Sequence, residues 1–162
     1  PSSLRKRLRG LLTAAIVGQG RHADAGTHYP ARDAWPGTAM PDPHADATRW
    51  TLEATLASLP LPATAKWPGG VFDMQVFANG DASLSLFAPR GGDRQTAHAQ
   101  DEFYFIVAGR AELHVHDSDG GVRILPARPG DALHVAAGIG HRFHSISGDF
   151  AAWVVFFPQE SA

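Results

Sequence analysis

Apolar and β-branched residues recur in short runs along the second half of the chain, with small and polar residues between them. The runs are Val71–Phe77, Ser83–Phe87, Phe103–Val107, Ala111–His116, Val122–Leu125, Ala132–Val135, Arg142–Ile146 and Phe150–Phe157. Each has the length and composition of a strand. Asn79-Gly80-Asp81 between the first two runs signals a hairpin, and Gly109 ends the run that begins at Phe103. Eight or so strands with no helix between them predict an all-β sandwich or barrel. Ahead of them Thr51 is placed to cap a short helix containing Ala54, Thr55 and Ala57, with Pro60 near its stop.

The pattern changes upstream. Leu4, Leu8, Leu11, Leu12, Ala15 and Ile16 fall on one face of a helix and the basic residues around Arg5-Lys6-Arg7 on the other, so residues 1–18 read as a basic amphipathic helix or a leader. Ala23-Asp24-Ala25 keeps an export signal open as an alternative. The short apolar stretch and Arg21-His22 near the cut argue against export and favour a cytoplasmic location. Residues 19–48 are rich in Gly, Pro and Ala and read as a linker, with His22, His28 and His44 solvated in it. Residues 49–162 then form one barrel domain. The chain has 162 residues, enough for a single well-cored domain.

Charge and composition narrow the chemistry. A formal net charge of −2 with both signs interspersed provides no basic field for nucleic acid. No apolar stretch is long enough to span a membrane. The absence of cysteine excludes disulfides, thiolate metal ligands and a cysteine nucleophile. There is no phosphate-binding Gly-x4-Gly-Lys-Ser/Thr loop, no strand-linked Gly-x-Gly-x-x-Gly and no Gly-x-Ser-x-Gly elbow. Two segments remain: His98-Ala-Gln-Asp-Glu102, which opens the strand-like run at Phe103, and Gly138-Ile-Gly-His141, just ahead of the run at Arg142. Together they offer two imidazoles and a carboxylate, a donor set for a divalent metal.

These segments resemble the two motifs of the cupin family. His98, Glu102 and Gly109 match the second His, the Glu and the Gly of the first motif, with Thr96 where another His would stand. Gly130, Gly138 and His141 match the second motif, with Ala136 in place of Pro and Ser145 in place of Asn. The resemblance covers roughly residues 70 to 158. It is strongest to small stand-alone bacterial members whose first motif reads His-x-x-Asp-Glu and whose second contains His-Arg-Phe. It implies a jelly-roll β-barrel, here with a short N-terminal helical extension, and a metal held by His98, Glu102 and His141. Fe(II) is the favoured ion, with Mn, Ni, Zn or Cu chemically acceptable to the same donors. The competing reading leaves the three residues as an internal hydrogen-bonded group without metal.

Around the triad, Tyr104 shares the parity of Glu102 and is expected inside as a catalytic phenol. His134 and His144 are expected to line the pocket as acid, base or supporting donor. Thr96 and Phe143 are expected to contact substrate, Thr96 by holding a metal-bound water. Glu112, His114 and His116 share the outer face of one strand and read as solvated surface, Asp101 as structural, and Phe103, Phe105, Trp153, Phe156 and Phe157 as core or dimer contacts. The expected partner is a small-molecule substrate or ligand, and the expected assembly a homodimer. Three functions fit: an Fe(II)-dependent oxygenase of a small organic molecule, a metal-dependent isomerase or lyase, and a non-catalytic ligand-binding barrel. Fold alone does not choose among them.

Overall fold

A computed structural model of the protein describes residues 47–158. The expected N-terminal helix or leader and nearly all of the linker, with His22, His28 and His44, lie outside the described residues. The description begins on a short approach to helix α1 (Leu52–Ala57). Thr51 caps it as expected: its side chain accepts the N–H of Ala54 at 3.2 Å. Six residues are too few for a helix to persist alone. α1 is held because Leu52 and Leu56 pack on Leu86, Ala88 and Ala151.

Eight strands follow: β1 (Asp73–Asn79), β2 (Ala82–Phe87), β3 (Asp101–Ala108), β4 (Ala111–His116), β5 (Val122–Ala127), β6 (Ala132–Val135), β7 (His141–His144) and β8 (Ala151–Phe157). They form a five-stranded sheet in the order β1-β2-β8-β3-β6 and a three-stranded sheet in the order β5-β4-β7, and every pairing is antiparallel. This is the expected all-β jelly roll. The β1–β2 hairpin closes on Gly80-Asp81 with Asn79 paired to Ala82, and Gly80 takes a φ of +58°, a conformation that costs glycine nothing.

Alternation along each strand sorts the two faces. Glu102, Tyr104 and Ile106 of β3 lie opposite Phe156, Val154 and Ala152 of β8, and these point into the space between the sheets with Leu113, Val115 and Phe143 from the smaller sheet. The intervening residues of β3 point outward. Phe103 and Phe105 are 36% and 44% exposed, and Phe103 stacks on Phe157 with ring centroids 5.4 Å apart. At the other end of the same outer face, Trp50, Leu59 and Val71 cover Met74 and Val76. Among the described residues the larger sheet is therefore covered on its β1–β2 side and bare on its β3–β6 side. No helix among the described residues is long and apolar enough to cross a membrane.

Candidate metal centre

Two hydrogen bonds bring the site together. The N–H of Gly138 donates to the carbonyl of His98 at 2.7 Å, and the N–H of Ala137 donates to the carboxylate of Asp101 at 2.8 Å. The turn before β7 is thus pinned to the segment that opens β3. Asp101 has the structural role expected of it. His141, the first residue of β7, then faces Glu102 across the barrel interior.

His98, Glu102 and His141 offer one ligand atom each, all within 4.8 Å of one another. Glu102 and His141 are 1% and 2% exposed. The His98 side chain is 22% exposed and is the member of the group that reaches solvent. His98 Nδ1 is hydrogen-bonded to Glu102 Oε1. The Tyr104 hydroxyl donates to Glu102 Oε2 at 2.5 Å and lies 2.9 Å from His141 Nε2, so Tyr104 is inside, as parity predicts. His141 Nδ1 donates to the carbonyl of Ile139 at 2.9 Å. That bond assigns the Nδ1 proton and aims Nε2 at the carboxylate, 3.6 Å from Glu102 Oε2. Metal-binding histidines are oriented by the same kind of bond.

The electrostatics suit a cation. Burial by itself would raise the Glu102 pKa, but hydrogen bonds from His141, His98 and Tyr104 and the nearby His98 charge outweigh it and hold the carboxyl at about 2. Burial would lower His141, yet its bond to Glu102, the Ile139 carbonyl and the charges of Glu102 and Asp93 leave it raised. Burial and then the Glu102 charge push Tyr104 well above the usual phenol value, so its proton stays on. A carboxylate already ionised in the interior is a prepared anionic ligand. The donor set and its geometry fit a divalent metal ion, and His98, Glu102 and His141 would hold it.

Two residues that sequence reasoning passed over support this group. Gln95 Oε1 lies 3.3 Å from the Tyr104 hydroxyl. Asp93 accepts the backbone N–H of Phe143 at 2.8 Å and both the N–H and the side-chain amide of Gln95, at 2.9 and 2.8 Å. The β2–β3 loop is thereby tied across the mouth of the barrel. A loop has no periodicity, so the sequence carries no signal for these contacts. Beneath the loop a cleft of about 810 Å³ runs along the inner face of β1 and β2 past Asp73, Gln75 and Ser83, and ends at His98 and Phe156. Exposed Thr96 stands on its wall.

Three expected pocket residues are elsewhere. Phe143 is 2% exposed and packs between Tyr104 and Phe150, with ring centroids 5.1 Å from each. It is core behind the triad and does not line the cleft that reaches His98. His134 is paired with Phe103 on the outer face of β6, beside Asp101 at 3.8 Å. His144 is paired with Glu112 on the outer face of β7. Both histidines sit at odd spacing from an inward neighbour, Val135 and His141 respectively, and strand alternation sends them outward.

Two antiparallel sheets enclosing Glu102 and His141, with His98 on the side toward solvent, form a jelly-roll barrel around a group able to hold a metal. The chain belongs to the cupin family. The family model for the cupin domain matches residues 83–157, and an uncharacterised protein of Streptomyces coelicolor is 40% identical over 90 residues, 54% of this chain and 81% of that one. Among solved structures the chain is similar to the oxalate decarboxylase of Bacillus subtilis, which has Mn(II) centres, at 18% identity and a TM-score of 0.44, covering 51% of this chain and 22% of that one. It thus spans about a fifth of the decarboxylase's length. It is also similar to a conserved protein of unknown function from Streptococcus pyogenes, at 18% identity and a TM-score of 0.46, covering 55% and 75% of the two chains. A third is the hydroxypropylphosphonic acid epoxidase of S. wedmorenis, at 17% identity and a TM-score of 0.38, covering 47% and 42%.

Proposed function

We propose that this cupin is a divalent-metal enzyme, an Fe(II)-dependent oxygenase acting on a small organic molecule. The observation that carries the reading is the convergence of His98, Glu102 and His141, with His141 Nε2 aimed inward by the Nδ1 bond to Ile139. Two imidazoles and one carboxylate leave part of an ion's coordination sphere open, which suits non-haem Fe(II). When bound, the ion supplies the redox chemistry that joins dioxygen to a substrate. The chain supplies the rest. The cleft admits the substrate to the His98 side of the group, with Thr96 on its wall. Phe156, edge-on to His98 at 5.4 Å, gives the cleft an apolar wall there, and Phe143, edge-on to Tyr104, keeps water from the far side. Tyr104 keeps its proton, and its hydroxyl, 2.5 Å from Glu102 Oε2, holds and orients the carboxylate at the buried end of the site.

An isomerase or lyase needs a group that removes a proton near the metal. The outward placement of His134 and His144 takes away the two bases expected for it, which favours the oxygenase. We also read the protein as a homodimer. The support is the exposed pair Phe103 and Phe105 with Phe157 stacked beside them.

The test is metal content by elemental analysis on protein purified without chelator or histidine tag, with His98→Ala and Glu102→Ala alongside. The expected result is near-stoichiometric transition metal, lost in both variants, followed by oxygen uptake that depends on Fe(II) when small organic acids and phenols are screened. Folded protein that cannot be reloaded with Fe(II), Mn(II), Ni(II) or Zn(II) would leave only the ligand-binding barrel.

A further inference from the structure

Strand β4 reads Ala111-Glu-Leu-His-Val-His116. Its alternation buries Ala111, Leu113 and Val115 and turns Glu112, His114 and His116 outward. On β7, His141 and Phe143 are buried, so Arg142 and His144 face outward. The register sets Glu112 opposite His144 and His114 opposite Arg142. Pairing the strands therefore gathers Glu112, His114 and His144 on one patch, a grouping neither strand displays alone.

Several features of the patch bear on ligand binding. His114 Nε2 is shielded from solvent and has no hydrogen-bond partner, although the His114 side chain as a whole is 24% exposed. A shielded polar atom without a partner calls for a water or an ion to satisfy it. It lies 3.6 Å from Glu112 Oε2, close to the roughly 3.4 Å that separates two ligands each 2.0–2.1 Å from a tetrahedral zinc ion. The rings of His114 and His144 are 4.1 Å apart between centroids. Glu112 Oε2 is itself held by the Ser145 hydroxyl at 3.0 Å. Ser145 has a φ of +52°, and it is the one non-glycine residue with positive φ among the described residues. Backbone strain of that kind gathers where a ligand is clamped.

We propose that Glu112, His114 and His144 bind a second divalent ion, of the zinc class, on the outer face of the small sheet. Two imidazoles, a carboxylate and a water make a four-coordinate zinc sphere. His114 and Glu112 already stand at ligand spacing. His144 is exposed and its ring lies against that of His114, outside the spacing of a ready three-ligand group, so the proposal requires its ring to turn out of that contact when the ion binds. Arg142 does not compete for the patch, because its Nε donates to the Gln95 carbonyl at 3.0 Å. An ion here clamps β7 to β4. Since the opposite face of β7 carries His141, the clamp also steadies the inner group without touching it.

The experiment is Zn(II) titration by calorimetry, with bound zinc counted by elemental analysis after dialysis, on metal-free, untagged protein. Three forms are compared: wild type, an inner variant His98→Ala/His141→Ala, and an outer variant His114→Ala/His144→Ala, each checked for fold by circular dichroism. The expected result is one zinc retained by the inner variant and one fewer in the outer variant than in wild type. An outer variant with the wild-type zinc count, or an inner variant that binds none, overturns the proposal. Failure of the inner site is a separate result, since the inner variant would then match wild type while the outer variant lost its ion. If the paired outer variant does not fold, Glu112→Gln keeps the side-chain size and still accepts from Ser145. It should weaken outer-site zinc by about tenfold or more, and unchanged affinity would count against the site.

Discussion

The carboxylate of Asp101 accepts the backbone N–H of Ala137 at 2.8 Å, joining the segment that carries His98 and Glu102 to the turn that carries His141. Asp101 points away from the site, so it acts on the group only through the backbone it holds. Asp101→Ala should leave the barrel folded, because the Gly138–His98 joint remains. Freed on one side, the turn should let His141 drift and lower metal affinity by about 10- to 100-fold. Competition titration against a chelating dye measures this directly, and unchanged affinity would show that one joint suffices.

The metal-free protein should have a pH window of greatest stability set by Glu102 and His141. Glu102 is lowered from 4.5 to about 2, so its contribution is complete above pH 4.5 and is lost as pH falls toward 2. His141 is raised from 6.5, so its contribution is complete below 6.5 and is lost as pH rises through its elevated pKa. Between those limits both charges are present and paired. Melting temperatures of the chelator-treated protein should peak at pH 4.5–6.5, and Glu102→Gln should flatten the profile on both sides. Metal binding must expel the His141 proton, so affinity should fall by about tenfold per pH unit below the His141 pKa.

Gly109 follows β3 at a φ of +65°, and a Cβ placed there would sit 2.6 Å from the backbone N of Phe150. Gly120 also has a positive φ but nothing lies within 4 Å of its would-be Cβ. Both Ala variants incur the left-handed strain, and only Gly109→Ala adds a collision with backbone. It should destabilise by about 2–4 kcal/mol, against about 1 kcal/mol for Gly120→Ala. Urea unfolding followed by tryptophan fluorescence separates the two.

Sedimentation at micromolar concentration tests the proposed dimer. Phe105 is 44% exposed and supports nothing in the interior, so Phe105→Lys should leave the melting temperature of the folded monomer nearly unchanged. If the bare side of the larger sheet pairs two copies, a buried charge there should convert dimer to monomer. A wild-type protein that sediments as a monomer would remove the dimer altogether.

The strand runs, the Gly80 and Gly109 turns, the Thr51 cap and the inward parity of Tyr104 with Glu102 were all legible in the sequence. Each depends on neighbours within a few residues, through side-chain alternation or a local φ requirement. The outward aspect of His144 was legible too: three residues from His141 on one strand, it has the opposite parity. Phe143, two residues from His141, was rightly inward, but whether an inward ring lines a cleft or fills the core depends on what packs against it. No local rule supplied the insertion of β8 between β2 and β3, the Asp101–Ala137 and His98–Gly138 joints, the contact of Asp93 with Phe143, or the meeting of Glu112 and His114 with His144. These join residues some 30 to 70 positions apart. The sequence determined which residues face inward along each strand; strand pairing, chosen by burial of the whole interior, decided which of them meet.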